Sequence, residues 1–197
     1  MSQQPVVSIL INNYNKQKYC AQALKSAINQ NYKKVEIIFF DDCSNDNSLK
    51  KIENLKKRFK NKITIIKNHK RGNIYSFNQI NGIKKSIEKS KGKIICLMDS
   101  DDFFKKNKVK EIVNFFSKNP KQEILFDRPL IFKHSKDVDP SSDHFFYREN
   151  KWPKFPPTSC ISIRKNSLKK AIKKIHVKKF HELWFDFRLS TYFAINK

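Results

Sequence analysis

Asp99, Ser100, Asp101 and Asp102 follow directly on the apolar run IICLM (94–98). Three carboxylates thus crowd into four positions of a chain whose formal net charge is +24. Two like charges about 4 Å apart repel by roughly 4 kcal/mol at an effective dielectric near 20, so the crowding calls for a cation. A hard divalent ion, Mg²⁺ or Mn²⁺, binds carboxylate oxygen, keeps several waters and shares its remaining positions with substrate phosphates. In an extended segment Asp99 and Asp101 point the same way, while Asp102 can turn at the exit of the strand. The bland alternative is a solvated turn that caps the next helix. That helix is expected to begin near Asn107 or Lys108, too far along for Asp99 or Asp101 to cap it. A second acidic group, Asp41, Asp42 and Asp46 in DDCSNDNS, ends an earlier apolar run in the same manner.

The elements that must carry these groups follow from hydrophobic period. Between residues 6 and 119, short apolar or β-branched runs alternate with longer segments of helical spacing, an α/β pattern. Strands are expected over 6–12, 35–41, 63–67 and 93–99, and their near-continuous hydrophobicity suits a mostly parallel sheet covered by helices on both faces. Helices are expected over 19–30, 47–59, 75–90 and 108–119, the last stopped by Pro120. In open parallel sheets, ligands bind outside the carboxyl ends of the strands, which is where both acidic groups fall. After about Ile124 the rhythm breaks. EILFDRPLIF (123–132) reads as one or two strands, and 133–157 as a long functional loop or lid, with Phe145, Phe146, Tyr147 and Trp152 available to a ligand. TSCISIR (158–164) reads as a late strand, KNSLKKAIKKI (165–175) as a basic helix and HELWFDFRLSTYF (181–193) as a final helix.

At 197 residues the chain suits a single domain. Its 42 Lys and Arg against 18 Asp and Glu favour phosphate-bearing or anionic partners. The lysines are scattered, however, which fits a solvated surface better than a polyanion groove. Cys20, Cys43, Cys96 and Cys160 are widely spaced, suggesting neither a zinc site nor a disulfide framework. The five histidines form no metal-ligand spacing. No stretch approaches the roughly 20 apolar residues of a membrane span. With no signal-peptide layout at the N-terminus, the expected location is the cytoplasm, peripherally at the inner face of the membrane if at a membrane at all.

The stretch VSILINNYNKQKYCAQALKSAINQNYKKVEIIFFDDCSNDNS resembles the opening of the family 2 glycosyltransferases of GT-A fold. There a strand, a T-Y-N-like turn, a helix ending in Q-x-Y and a strand ending in D-D-x-S come in this order. NHKRGNIYSFNQINGI is similar to the family's N-x-G stretch, and DSDD falls where the family carries its metal motif. The resemblance is strong over 5–109 and weak beyond. It implies one domain over 1–197, with 5–126 binding a nucleotide-sugar and 127–197 facing the acceptor. It also implies inverting transfer from a nucleotide-diphosphate donor, a UDP-sugar, to a glycan or lipid-linked acceptor in bacterial surface polysaccharide synthesis, with Mn²⁺ or Mg²⁺ as cofactor.

Carried over, Tyr14, between Asn13 and Asn15, flanks the nucleobase, and Asp42 accepts from the base imide. Asp99 and Ser100 meet the nucleotide, and Asp101 with Asp102 meets the metal. A turn aromatic and a helix N-cap are the plain alternatives for Tyr14 and Asp42. The catalytic base implied by HELWFDFRL is Glu182, with Asp186 as rival, the two being i, i+4 neighbours if the segment is helical. Two departures stand out. Ser76, Phe77 and Asn78 replace the usual Ala-Arg-Asn, so an arginine expected at the donor is absent unless Arg71 or Lys70 takes its place. Cys43 replaces a glycine and must tolerate that loop's backbone angle. A basic nucleic-acid-binding protein and a glycosyltransferase-like domain without activity are the competing functions. The order of the acidic motifs argues against nucleic acid as a partner, and the basic helix leaves contact with an anionic membrane open.

Overall fold

The computed structural model describes residues 4–133, 136–138, 156–175 and 180–196. Seven residues of β1 (Val7–Asn13) lie at the centre of a six-stranded sheet. Its neighbours are β2 (Val35–Asp41) and β4 (Ile94–Asp99), both parallel to it, and β3 (Ile63–Lys67) adds to β2 in the same sense. The other edge is antiparallel: β8 (Ile161–Arg164) pairs against β4, and β5 (Ile124–Phe126) against β8, giving the order β3-β2-β1-β4-β8-β5. A separate hairpin joins β6 (Ile131–Lys133) to β7 (Lys136–Val138). EILFDRPLIF therefore divides into two strands, and the expected lid begins with a strand. The rest of that lid, including Phe145, Phe146, Tyr147 and Trp152, lies outside the described residues.

Alternation along β1 sends Ile9 and Ile11 to one face and Leu10 to the other, so each face acquires a core. On the first face pack α1 (Cys20–Ile28), α2 (Ser48–Arg58) and α4 (Lys108–Lys118), through Ala23, Leu24, Ile52, Ile112 and Phe116. On the second pack α3 (Tyr75–Lys89), α5 (Lys165–Ile175) and α6 (Phe185–Ile195), through Ile80, Ile83, Leu168, Phe185 and Leu189. A Cβ on Gly82 would stand 2.6 Å from Phe40 Cδ1 and 2.9 Å from Asn12 Oδ1. The glycine thus lets α3 sit directly on the ends of β1 and β2. The Q-x-Y signature is a clamp: Gln30 Nε2 donates to the Lys105 carbonyl, Gln30 Oε1 accepts from Val109 N–H, and Tyr32 donates to the Pro5 carbonyl. It fixes the loop that follows Asp99–Asp102.

Candidate active site

The strand order reverses between β1 and β4, and at such a switch point the loops diverge and leave a crevice. In register, Asn13 lies beside Asp41 and Asn12 beside Asp99, so three strand ends share one rim. Above them opens a cleft of about 310 Å³.

At one end of the cleft stand Tyr14 and Asp42. Asp42 is 6 % exposed, accepts a hydrogen bond from Asn68 Nδ2 at 2.7 Å, and forms an ion pair with Arg71 Nε at 2.9 Å. Asp42 is not a helix cap, because α2 starts after Asn47 and its first turn is held by Asp46, which accepts from Ser48 N–H. The Arg71 guanidinium carbon lies 3.8 Å from the Tyr14 ring centroid and 5.7 Å from that of Tyr75. Arg71, from the loop before α3, thus places a guanidinium in the cleft, whereas position 77 carries none. It also covers the Tyr14 face and pairs with the Asp42 carboxylate. Cys43 takes the glycine position at φ 61°, and its thiol faces the Asn68 carbonyl at 3.1 Å, tying the two loops together.

At the other end the acids diverge. Asp101 pairs with Lys16 Nζ at 2.6 Å. Ser159 donates to Asp102 Oδ2 at 2.6 Å while its hydroxyl accepts from Asp99 N–H at 2.9 Å. Gln79 Nε2 lies 3.2 Å from Thr158 Oγ1 and 3.5 Å from Asp99 Oδ1. The Asp99 carboxyl is pushed up to about 7, first by burial and then by Asp102, Asp101 and Asp186. Burial also raises Asp102. Among the described residues no three metal-ligating side chains converge. A hard cation held by one or two carboxylates plus substrate phosphates does not need such a cage. Asp101, 39 % exposed at its side chain and lining the cleft, has the donor chemistry for it, with Asp102 one residue on.

Asn13 and Ser100 are buried, and both tie strand ends together. Asn13 Nδ2 donates to Asp41 and Ser44, and Ser100 N–H donates to the Asn12 carbonyl. Asn13 Oδ1 and Gln79 Oε1 are buried oxygens of cleft-lining residues without a hydrogen-bond donor among the described residues. Asn15 is exposed and accepts from Asn45 N–H of the loop after β2.

The last helix begins at Phe185 rather than at His181, so Glu182 and Asp186 do not share a helical face. The Glu182 side chain is 83 % exposed and pairs with His181 at 3.5 Å. Asp186 sits in the first turn of α6 and accepts from Phe187 N–H at 2.8 Å. Burial raises its carboxyl, and it is near enough to Asp99 to raise that group in turn. The Trp184 and Tyr75 rings meet at 4.7 Å on the cleft's rim. Lys16, Tyr75, Gln79, Ser159 and Trp184 had no assigned role in the sequence, although all but Ser159 lie inside the family-like stretches.

A mostly parallel sheet with acidic strand ends around a cleft at its switch point defines an α/β fold of GT-A type. Solved structures share it. TarS 1–349 of Staphylococcus aureus in complex with UDP superposes with TM-score 0.68 at 20% identity over 93% of this chain and 53% of that one. The mannosyltransferase PcManGT of Pyrobaculum calidifontis, in complex with GDP-Man and Mn²⁺, gives 0.66 at 14% over 86% and 47%. At these identities the likeness is one of fold. The family model of glycosyl transferase family 2 matches residues 8–177, and the chain belongs to that family. Among curated relatives, an uncharacterized glycosyltransferase of Nostoc sp. is 27% identical over 83% of this chain and 52% of its own length. The poly(ribitol-phosphate) β-N-acetylglucosaminyltransferase TarS of S. aureus is 24% identical over 60% and 20%. The chain spans about half or less of the length of these relatives. No helix among the described residues is long and apolar enough to cross a membrane.

Proposed function

We propose that the chain transfers a sugar, with inversion, from a UDP-sugar to a hydroxyl of a saccharide or lipid-linked saccharide in bacterial surface polysaccharide synthesis. The observation that carries this reading is the two-ended cleft: an aromatic face beside a buried carboxylate at Tyr14 and Asp42, and exposed Asp101 at the other end. An aromatic face stacks a base, and a buried carboxylate accepts the imide N–H. Arg71 has to leave the Tyr14 face for a base to stack there from within the cleft. Asp101, with Asp102 beside it, would hold Mn²⁺ or Mg²⁺, which supplies charge stabilisation to a departing diphosphate. UDP on TarS and GDP-Man with Mn²⁺ on PcManGT support the donor class.

For the base we reverse the order suggested by sequence and choose Asp186, because burial keeps its carboxyl basic beside Asp99 while Glu182 stands in solvent. The acceptor oxygen attacks the anomeric carbon, the bond from that carbon to the diphosphate breaks, and the hydroxyl proton passes to Asp186. Residues 5–126 would then hold the donor and 127–197 the acceptor side. Lys169, Lys170, Lys173 and Lys174 are all exposed on α5, a basic face suited to anionic lipid. A mass-detected screen of nucleotide-sugars with Mn²⁺ tests the reading. Hydrolysis of a UDP-sugar is expected, and a chain that neither consumes nor binds any nucleotide-sugar overturns it.

A further inference from the structure

Asp101 is the acid best placed for a cation, yet in the structure a cation of the chain's own is already there. The Lys16 ammonium lies 2.6 Å from Asp101 Oδ2, and both side chains are 39 % exposed. It is the ion-pair partner of Asp101 among the described residues. Two other cations at this end of the sheet are engaged elsewhere: Arg71 with Asp42, and Lys108 with Asp127 and the Ser159 carbonyl.

The Lys16 backbone is fixed. Its N–H donates to Ser48 Oγ at 3.1 Å, and its carbonyl accepts from Tyr19 and Cys20 N–H at 2.9 Å each. What can move is the four-carbon stem, which carries a compact, strongly hydrated charge on rotatable bonds. Residues 16 and 101 both line the cleft, so an ammonium leaving Asp101 remains within it.

Resting on the donor-site reading above, we propose that Lys16 is an exchange cation. It neutralises Asp101 while neither a divalent ion nor a diphosphate is bound, and swings to the phosphate oxygens of the donor from the β1–α1 side when either arrives. An ammonium and a divalent ion cannot both sit against one carboxylate oxygen without strong repulsion. Metal and Lys16 therefore compete for Asp101, and each can hold a diphosphate in the other's absence. Divalent dependence of nucleotide binding in this chain is consequently partial.

The test is calorimetric, on the full chain and its Lys16→Met and Lys16→Arg variants, titrated with Mn²⁺ alone, with UDP in EDTA, and with UDP in saturating Mn²⁺. Thermal unfolding confirms that the variants fold. In Lys16→Met, Mn²⁺ alone should bind about two- to fivefold tighter and UDP in EDTA about two- to fivefold weaker, the scale of a partly exposed charge pair. Lys16→Arg should stay near wild type in both. Unchanged Mn²⁺ affinity in Lys16→Met overturns the exchange, as does unchanged UDP affinity in EDTA. A wild-type chain that binds Mn²⁺ but never UDP instead defeats the donor-site reading, and its Mn²⁺ titration still decides whether Lys16 competes.

Discussion

The first four strands and the segment from Thr158 onward reach the same cleft in different ways. In β1, β2 and β4, consecutive residues are buried on both faces. The strand ends are therefore locked in register, and Asn13, Asp41 and Asp99 emerge where the sheet puts them. The later segment contributes a three-residue 3₁₀ turn, the four-residue strand β8 and the start of α6. Its contacts are made by short polar links: Ser159 to Asp102, Thr158 to Gln79, and the Ser76 hydroxyl to the His181 carbonyl. The proposed donor side is thus a property of the sheet, while the proposed acceptor side depends on individual side chains. Substitutions should separate the two.

The largest effect is expected in the later segment. Asp186→Asn should lower transfer by roughly 10² to 10⁴ while leaving UDP affinity intact, the loss typical of removing a general base. Glu182→Gln should transfer near the wild-type rate. The reverse pattern in steady-state kinetics would return the base to Glu182.

Next comes the donor end, where Arg71→Ala leaves Asp42 buried with Asn68 as its remaining described partner. Stripping a partner from a buried charge costs about 1–3 kcal/mol, so the urea midpoint should fall clearly. An unchanged midpoint would mean that Arg71 is not part of the folded site.

A smaller effect separates the ends by pH. The folded-state pKa of Asp99 is raised from 3.8 to about 7, so between those values the folded chain holds a proton that the unfolded chain releases. Its contribution to stability is present below about 3.8 and lost as pH rises through about 7. The difference in Tm between wild type and Asp99→Asn should therefore widen in the mutant's favour from about pH 5 to about pH 8. Mn²⁺ should stabilise wild type more at the higher pH. A difference that stays flat with pH would show that Asp99 is solvated.

The same contrast explains what the sequence disclosed. The parallel strands and their helices were legible because buried runs and helical spacing leave little choice, and the acidic strand ends came with them. HELWFDFRL was misread as helix from its first residue. Apolar Leu183 and Trp184 continue the spacing, but Trp184 is extended and exposed at the cleft rim. Arg71 was visible as a candidate through the gap at Phe77, whereas its seat over Tyr14 depends on a loop fixed by Asn68, Gly72 and Asn78. Lys16 had no signal, since one lysine among 42 Lys and Arg carries none until folding sets it against Asp101.

The central claim is that this cleft binds a nucleoside diphosphate with a divalent ion on Asp101. The most direct measurement is UDP affinity with and without Mn²⁺ in wild type and in Asp99→Asn and Asp101→Asn. Wild type should bind UDP more tightly with Mn²⁺, and Asp101→Asn should bind it equally with and without the ion while remaining folded. Undiminished Mn²⁺-dependent UDP binding in both variants would contradict the account.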